Sequence, residues 1–321
     1  MRAVAALAIG GWLLAACGGG GGSPDGGTIT VPPAQLCVRD DCATRTVLAT
    51  IPDAENILFA TDGRLFVSGG TNVYEIRRNG SDYSATPLFD GSANFTGLAI
   101  RAGTLYANSF DGQLYAAALS AAPQLAPIHD LGLAAPNGLV DGPDGELYLV
   151  NGPLATNALP DPKIVRVRLN PADPLEVIEQ VDWYTGTLLG PNGLQRQDRR
   201  LYVSNTGLGG LGEIQAVDIA ADGSAVGAGT VARFDHIPDD FSLAGDHFLV
   251  SWFADGQVAL LGPDGAERQS TGLQGLSFPS QVRVGRPPLF APDEILVTEK
   301  GLIGDNDSAI GNVLSVLRPN R

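Results

Sequence analysis

One short frame recurs along this chain and leaves few folds open. It is clearest at Pro191-Asn192-Gly193-Leu194 and Pro136-Asn137-Gly138-Leu139. Each is followed about ten residues on by an apolar-aromatic run, Leu201-Tyr202-Val203 and Leu147-Tyr148-Leu149-Val150. Frames of the same kind begin at Glu55, Thr96, Asp239 and Ser280. The first position always carries an oxygen-bearing side chain: Glu55, Thr96, Asn137, Asn192, Asp239, Ser280. The third is always apolar: Ile57, Leu98, Leu139, Leu194, Phe241, Val282. A repeat of roughly 40 to 55 residues made of strands and turns, with no helical pattern, predicts one propeller blade per frame. The chain therefore reads as all-β, a six-bladed β-propeller.

The ends of the chain complete this reading. Residues 44–50 look like a strand, in the slot where other blades carry their outermost strand. The last blade, from Ser280, has no outer strand of its own before the chain ends. The N-terminal strand is expected to supply it, closing the ring and removing its exposed edges. The propeller then spans 44–318. Among 321 residues, 42 glycines and 22 prolines suit a fold that turns after every strand. Asp62-Gly63 and Pro143-Asp144-Gly145 are hairpin turns rather than calcium loops, because no Asp-rich repeat with a terminal Glu follows.

Residues 1–16 read as a targeting segment. Arg2 precedes an apolar run that is too short to span a bilayer and ends in Leu14-Ala15-Ala16-Cys17. This resembles the signal of bacterial lipoproteins, which implies a lipidated Cys17, a flexible linker over 17–43 and a membrane-anchored chain. Gly18, where an Asp would retain such proteins inside, implies the outer membrane, with the propeller in the periplasm or at the cell surface. Cys37 and Cys42 remain, an even pair outside the cytoplasm, to be closed as a disulfide or left as two thiols. A net charge of −15 excludes nucleic acid as a natural partner. A monomer is expected.

Inner strands of a propeller begin around its axis, so the first-position residues should converge there. They comprise two carboxylates, two amides and two hydroxyls, without His or Cys. That set suits a hard cation, Ca²⁺ before Mg²⁺, and the competing reading is a plug of hydrogen-bonded polar side chains. The longest connections, 151–162, 204–212 and 298–311, should lie on the same face of the ring.

At these residues the chain resembles the senescence-marker-protein, gluconolactonase and luciferin-regenerating-enzyme family, relatives of the paraoxonases, over about 55–317. The resemblance rests on Glu55-Asn56, the two Asn-Gly-Leu frames and Pro238-Asp239. It implies a catalytic calcium held by Glu55, Asn137, Asn192 and Asp239, with Asp240 as a further ligand. The implied activity is calcium-dependent hydrolysis of lactones or esters, with Asp239 or Asp240 as base. Thr96 stands where paraoxonases carry a catalytic His, and Ala135-Pro136 where gluconolactonases carry an Arg. A hydrophobic substrate is therefore expected over a sugar lactone, with Phe95, Phe110, Trp252, Leu154 and Leu208 as candidate walls. His236 is the histidine placed to lie near the metal. The alternative is a non-catalytic, lipid-anchored binding propeller whose axis holds a structural calcium or a polar plug.

Overall fold

The computed structural model describes residues 32–152, 158–302, 305 and 307–320. The signal segment, Cys17 and Leu154 lie outside them. Six four-stranded antiparallel sheets form the ring of a six-bladed β-propeller. β1 (Ala43–Thr50) pairs with β24 (Val313–Pro319), from Ala43 opposite Pro319 to Thr50 opposite Val313. The last blade is thus β1-β24-β23-β22, with β23 at Ile295–Glu299 and β22 at Pro279–Val284. The early strand closes the ring as the sequence predicts.

The core lies between blades. Leu58, Phe66 and Val73 of the first blade pack against Phe95, Leu98, Leu105 and Tyr115 of the second, all buried. Alternating strands put every second side chain into such a seam. Within the stretch read as linker, Leu36, Cys37 and Val38 are buried against Ala244, Leu249, Val258 and Leu276. Burial of this triplet ties the approach to the propeller. Cys37 and Cys42 form a disulfide, their Cα atoms 6.1 Å apart.

Each inner hairpin breaks register at the same place. The shifts fall between Ala54 and Ile57, Phe95 and Leu98, Pro136 and Leu139, Pro191 and Leu194, Pro238 and Phe241, and Pro279 and Val282. The frame's first two residues sit in this irregularity, which re-aims side chains that a regular ladder would send into the seams. Polar side chains on the second strands fasten the break to the next blade. Ser204 Oγ donates to Asp239 O at 2.5 Å, Ser251 Oγ to Ser280 O at 2.5 Å and Thr298 Oγ1 to Glu55 O at 2.6 Å. Ser68 Oγ donates to Thr96 O, and Asn108 Nδ2 to Asn137 O at 2.6 Å. These bonds hold the starts of five of the six inner strands against their neighbours; the strand that begins at Asn192 faces Val150, which has no side-chain donor.

Candidate functional site

Residues at the first position of the frame open the channel, and those at the second position form the layer beneath. Glu55, Asn137, Asn192 and Asp239 line one cavity of about 1010 Å³. All three long connections reach it, through Ala158, through Thr206, Gly207 and Leu208, and through Lys300. Thr96 and Ser280 do not line it. Thr96 Oγ1 donates to Pro136 O at 2.8 Å, and Ser280 Oγ donates to Asp239 Oδ2 at 3.0 Å.

The upper layer is short of partners. Asn192 Nδ2 donates to Asp239 Oδ1, but Asn192 Oδ1 is buried and accepts no hydrogen bond from the described residues. A buried carbonyl oxygen left this way costs about 1–3 kcal/mol unless something binds it. Burial, then the nearby Glu55, pushes the Asp239 carboxyl well above the usual carboxylate range. Burial also raises Glu55, against the pull of Lys300. Both shifts come first from burial, and each carboxyl also feels a like charge nearby, Glu55 at Asp239 and Asp53 at Glu55.

The lower layer is the reverse. Asp240 Oδ2 accepts from Asn56 Nδ2 at 2.9 Å and Gln281 Nε2 at 2.8 Å; Oδ1 accepts from Phe241 N at 2.6 Å and Gln195 Nε2 at 3.2 Å. Burial raises its carboxyl to about 6 even so. Gly193 makes this arrangement possible: a Cβ there would fall 2.1 Å from Asp240 Oδ1. The Asn-Gly pair therefore serves a close approach between blades rather than a turn. Asp240 is not among the residues that line the cavity, where a base should be, and both of its oxygens are committed to the donors around it.

One cation stands at the mouth of the channel that the frame does not predict. Lys300 Nζ pairs with Glu55 Oε2 and lies 3.1 Å from Asp53 Oδ1. Burial opposes its charge, but Glu55 and Asp53 outweigh that and hold its pKa above the usual lysine value. It was missed because it reaches in from a loop outside the repeat. Its faint signal is scarcity, since lysine occurs at positions 163 and 300 while the other 18 of 20 basic residues are arginine.

Apolar walls surround these charges. Phe110 and Leu208 line the cavity as expected, joined by Leu133, Leu189, Ile237 and Phe253. Phe95 and Trp252 do not: Phe95 packs edge-on to Phe89 and Tyr115, and Trp252 is buried between Phe234 and His236. His236 does not line the cavity; it stacks on Trp252 with its Nδ1 2.8 Å from Asp255 Oδ2.

Among the described residues no group of three or more His, Cys, Asp or Glu is placed to hold a metal. The candidate ligands are two carboxylates and two carboxamides, an oxygen set matched to calcium, and the orphaned Asn192 oxygen fits such an ion.

No family model matches the chain, and no curated protein does. Solved structures do. Regucalcin from Agrobacterium tumefaciens str. C58, described as a calcium-binding protein, aligns with a TM-score of 0.64 at 16% identity, over 87% of this chain and 94% of that one. The PQQ-bound aldose sugar dehydrogenase of Streptomyces coelicolor aligns at 0.59 and 15% identity, over 87% and 98%. A streptogramin B lyase aligns at 0.54 and 10% identity, over 87% and 99%. At these identities the shared property is the propeller, which hosts several chemistries.

Proposed function

We propose that this propeller is a calcium-dependent hydrolase of lactones or esters bearing an apolar group. The observation that carries this is the Asn192 oxygen, buried without a hydrogen-bond partner among the described residues, beside an Asp239 that shares its cavity with Glu55. Glu55 and Asp239 would balance a dication, and Asn137 and Asn192 would add neutral oxygens. A calcium ion held by these residues would supply a Lewis acid that polarises the substrate carbonyl. Asp239, which faces the cavity, takes the proton of the attacking water and returns it to the leaving alkoxide. Asp240, bound from four sides, positions the backbone of Asp239 from below. Phe110, Leu133, Leu208, Ile237 and Phe253 receive the apolar part of the substrate and exclude bulk water. The chain would act as a monomer tethered through Cys17 to the outer membrane.

A second reading, a binding propeller with a staple on its axis, draws support from the ammonium already on Glu55. Hydrolysis of a panel of lactones and aryl esters, with and without a calcium chelator, separates them. Turnover that disappears in chelator and in Asp239→Asn supports the hydrolase. Binding of apolar lactones without turnover supports the staple.

A further inference from the structure

Lys300 is placed with care. Its N–H donates to Phe278 O at 3.0 Å, and the next N–H, of Gly301, to Ser277 O at 3.1 Å. Behind it two glycines press together. A Cβ on Gly301 (φ +79°) would fall 2.1 Å from Ile310 O, and one on Gly311 2.3 Å from Gly301 Cα. The lysine stem therefore leaves a pinned backbone. Its partner Asp53 adopts φ 50°, a left-handed conformation costly for a side-chain-bearing residue, with its N–H on Asn312 Oδ1 at 2.7 Å. Two uncommon backbone arrangements thus converge to hold one ammonium between Asp53 and Glu55.

Asp53, Glu55 and Asp239 bring three carboxylates to this end of the channel, and Lys300 brings one ammonium. Fully ionised, the cluster sums to −2, the deficit that one dication fills. Yet the ammonium occupies an oxygen that the dication also needs, since calcium seeks six to eight oxygen ligands, as a typical range. The two cations repel at such close range in a partly dehydrated site.

We propose that Lys300 is a tethered competitor for the metal position. Its ammonium and the dication contend for the Glu55 carboxylate, and the outcome sets how tightly the chain holds calcium. A lysine suits this role because its charge is compact and sits on a flexible stem that can withdraw, whereas a guanidinium would clamp the carboxylate with two hydrogen bonds. This rests on the calcium reading above and adds its regulation.

The test is calorimetric titration of calcium chloride into chelator-stripped wild type, Lys300→Gln and Lys300→Arg, with melting temperatures taken alongside. Lys300→Gln is expected to bind calcium about tenfold more tightly or better, with a larger calcium-induced rise in Tm. Lys300→Arg is expected to bind more weakly than wild type. Equal or weaker binding by Lys300→Gln overturns the competition. Should that variant not fold, Lys300→Arg decides: weaker binding than wild type supports the competition, and equal or tighter binding overturns it. A wild type that takes up no calcium fails the hydrolase reading alone. The competition then survives if Lys300→Gln gains binding, and falls if neither protein binds.

Discussion

Asp239 and Asp240 are neighbours in sequence and both are buried, yet their surroundings are opposed. Asp240 sits in a socket of donors: two glutamine amides, one asparagine amide and a backbone N–H. Asp239 receives the Asn192 amide and the Ser280 hydroxyl, lies near Glu55, and faces a cavity. A buried carboxylate surrounded by donors is a structural joint. One whose neighbours add negative charge and an orphaned oxygen is poised for a cation. Under the proposed function, the two layers of one channel divide the work of holding the ring and of binding.

The comparison can be broken most forcefully at Asp240. Asp240→Ala strands four donors, at about 1–3 kcal/mol each, and returns about 3 kcal/mol by removing a carboxyl that is costly to ionise. The expected net loss of stability is about 3 kcal/mol or more by urea denaturation. A change within about 0.5 kcal/mol would mean that the lower layer is not a joint.

Next in size is a pH effect. With its carboxyl raised to about 6, the folded state of Asp240 binds a proton more readily than the unfolded chain. Its contribution is therefore present at low pH and is lost as pH rises from about 4 through about 6, by up to about 3 kcal/mol. In chelator, Asp240→Asn should flatten this slope in denaturation curves taken across that range. An identical slope would remove Asp240 from the account.

The upper layer should answer to metal rather than to denaturant. Glu55→Ala or Asp239→Ala takes a charged ligand from a dication and should weaken calcium binding by about 100-fold or more. Asn137→Ala and Asn192→Ala remove neutral oxygens and should cost about tenfold. Thr96→Ala should leave affinity unchanged, because its hydroxyl is spent on Pro136 O. Calorimetry ranks these variants, and a Thr96 effect as large as that of Glu55 would dissolve the distinction between first-position residues.

Much of this was legible in the sequence because the frame repeats. Six oxygen-bearing residues in register mark where the inner strands begin, four of them lining the cavity, and the unmatched strand at 44–50 predicts how the ring closes. What was not legible lies off the repeat. Lys300 comes from a connecting loop, so no periodicity points to it. The role of Asp240 depends on Gln195 and Gln281 arriving from other blades, and on Gly193 leaving room. Phe95 was misplaced because it precedes the register break and packs against Phe89 and Tyr115, and Trp252 because, opposite Pro238 on the second strand, it packs between Phe234 and His236.

The central claim is that the upper layer is a cation site, and calcium titration of the chelator-stripped wild-type protein tests it most directly. The account predicts saturable binding of one calcium per chain with a rise in melting temperature, and no comparable response from Asp239→Ala. Titration without heat of binding and without a change in Tm, in the wild type and in Lys300→Gln alike, would contradict it.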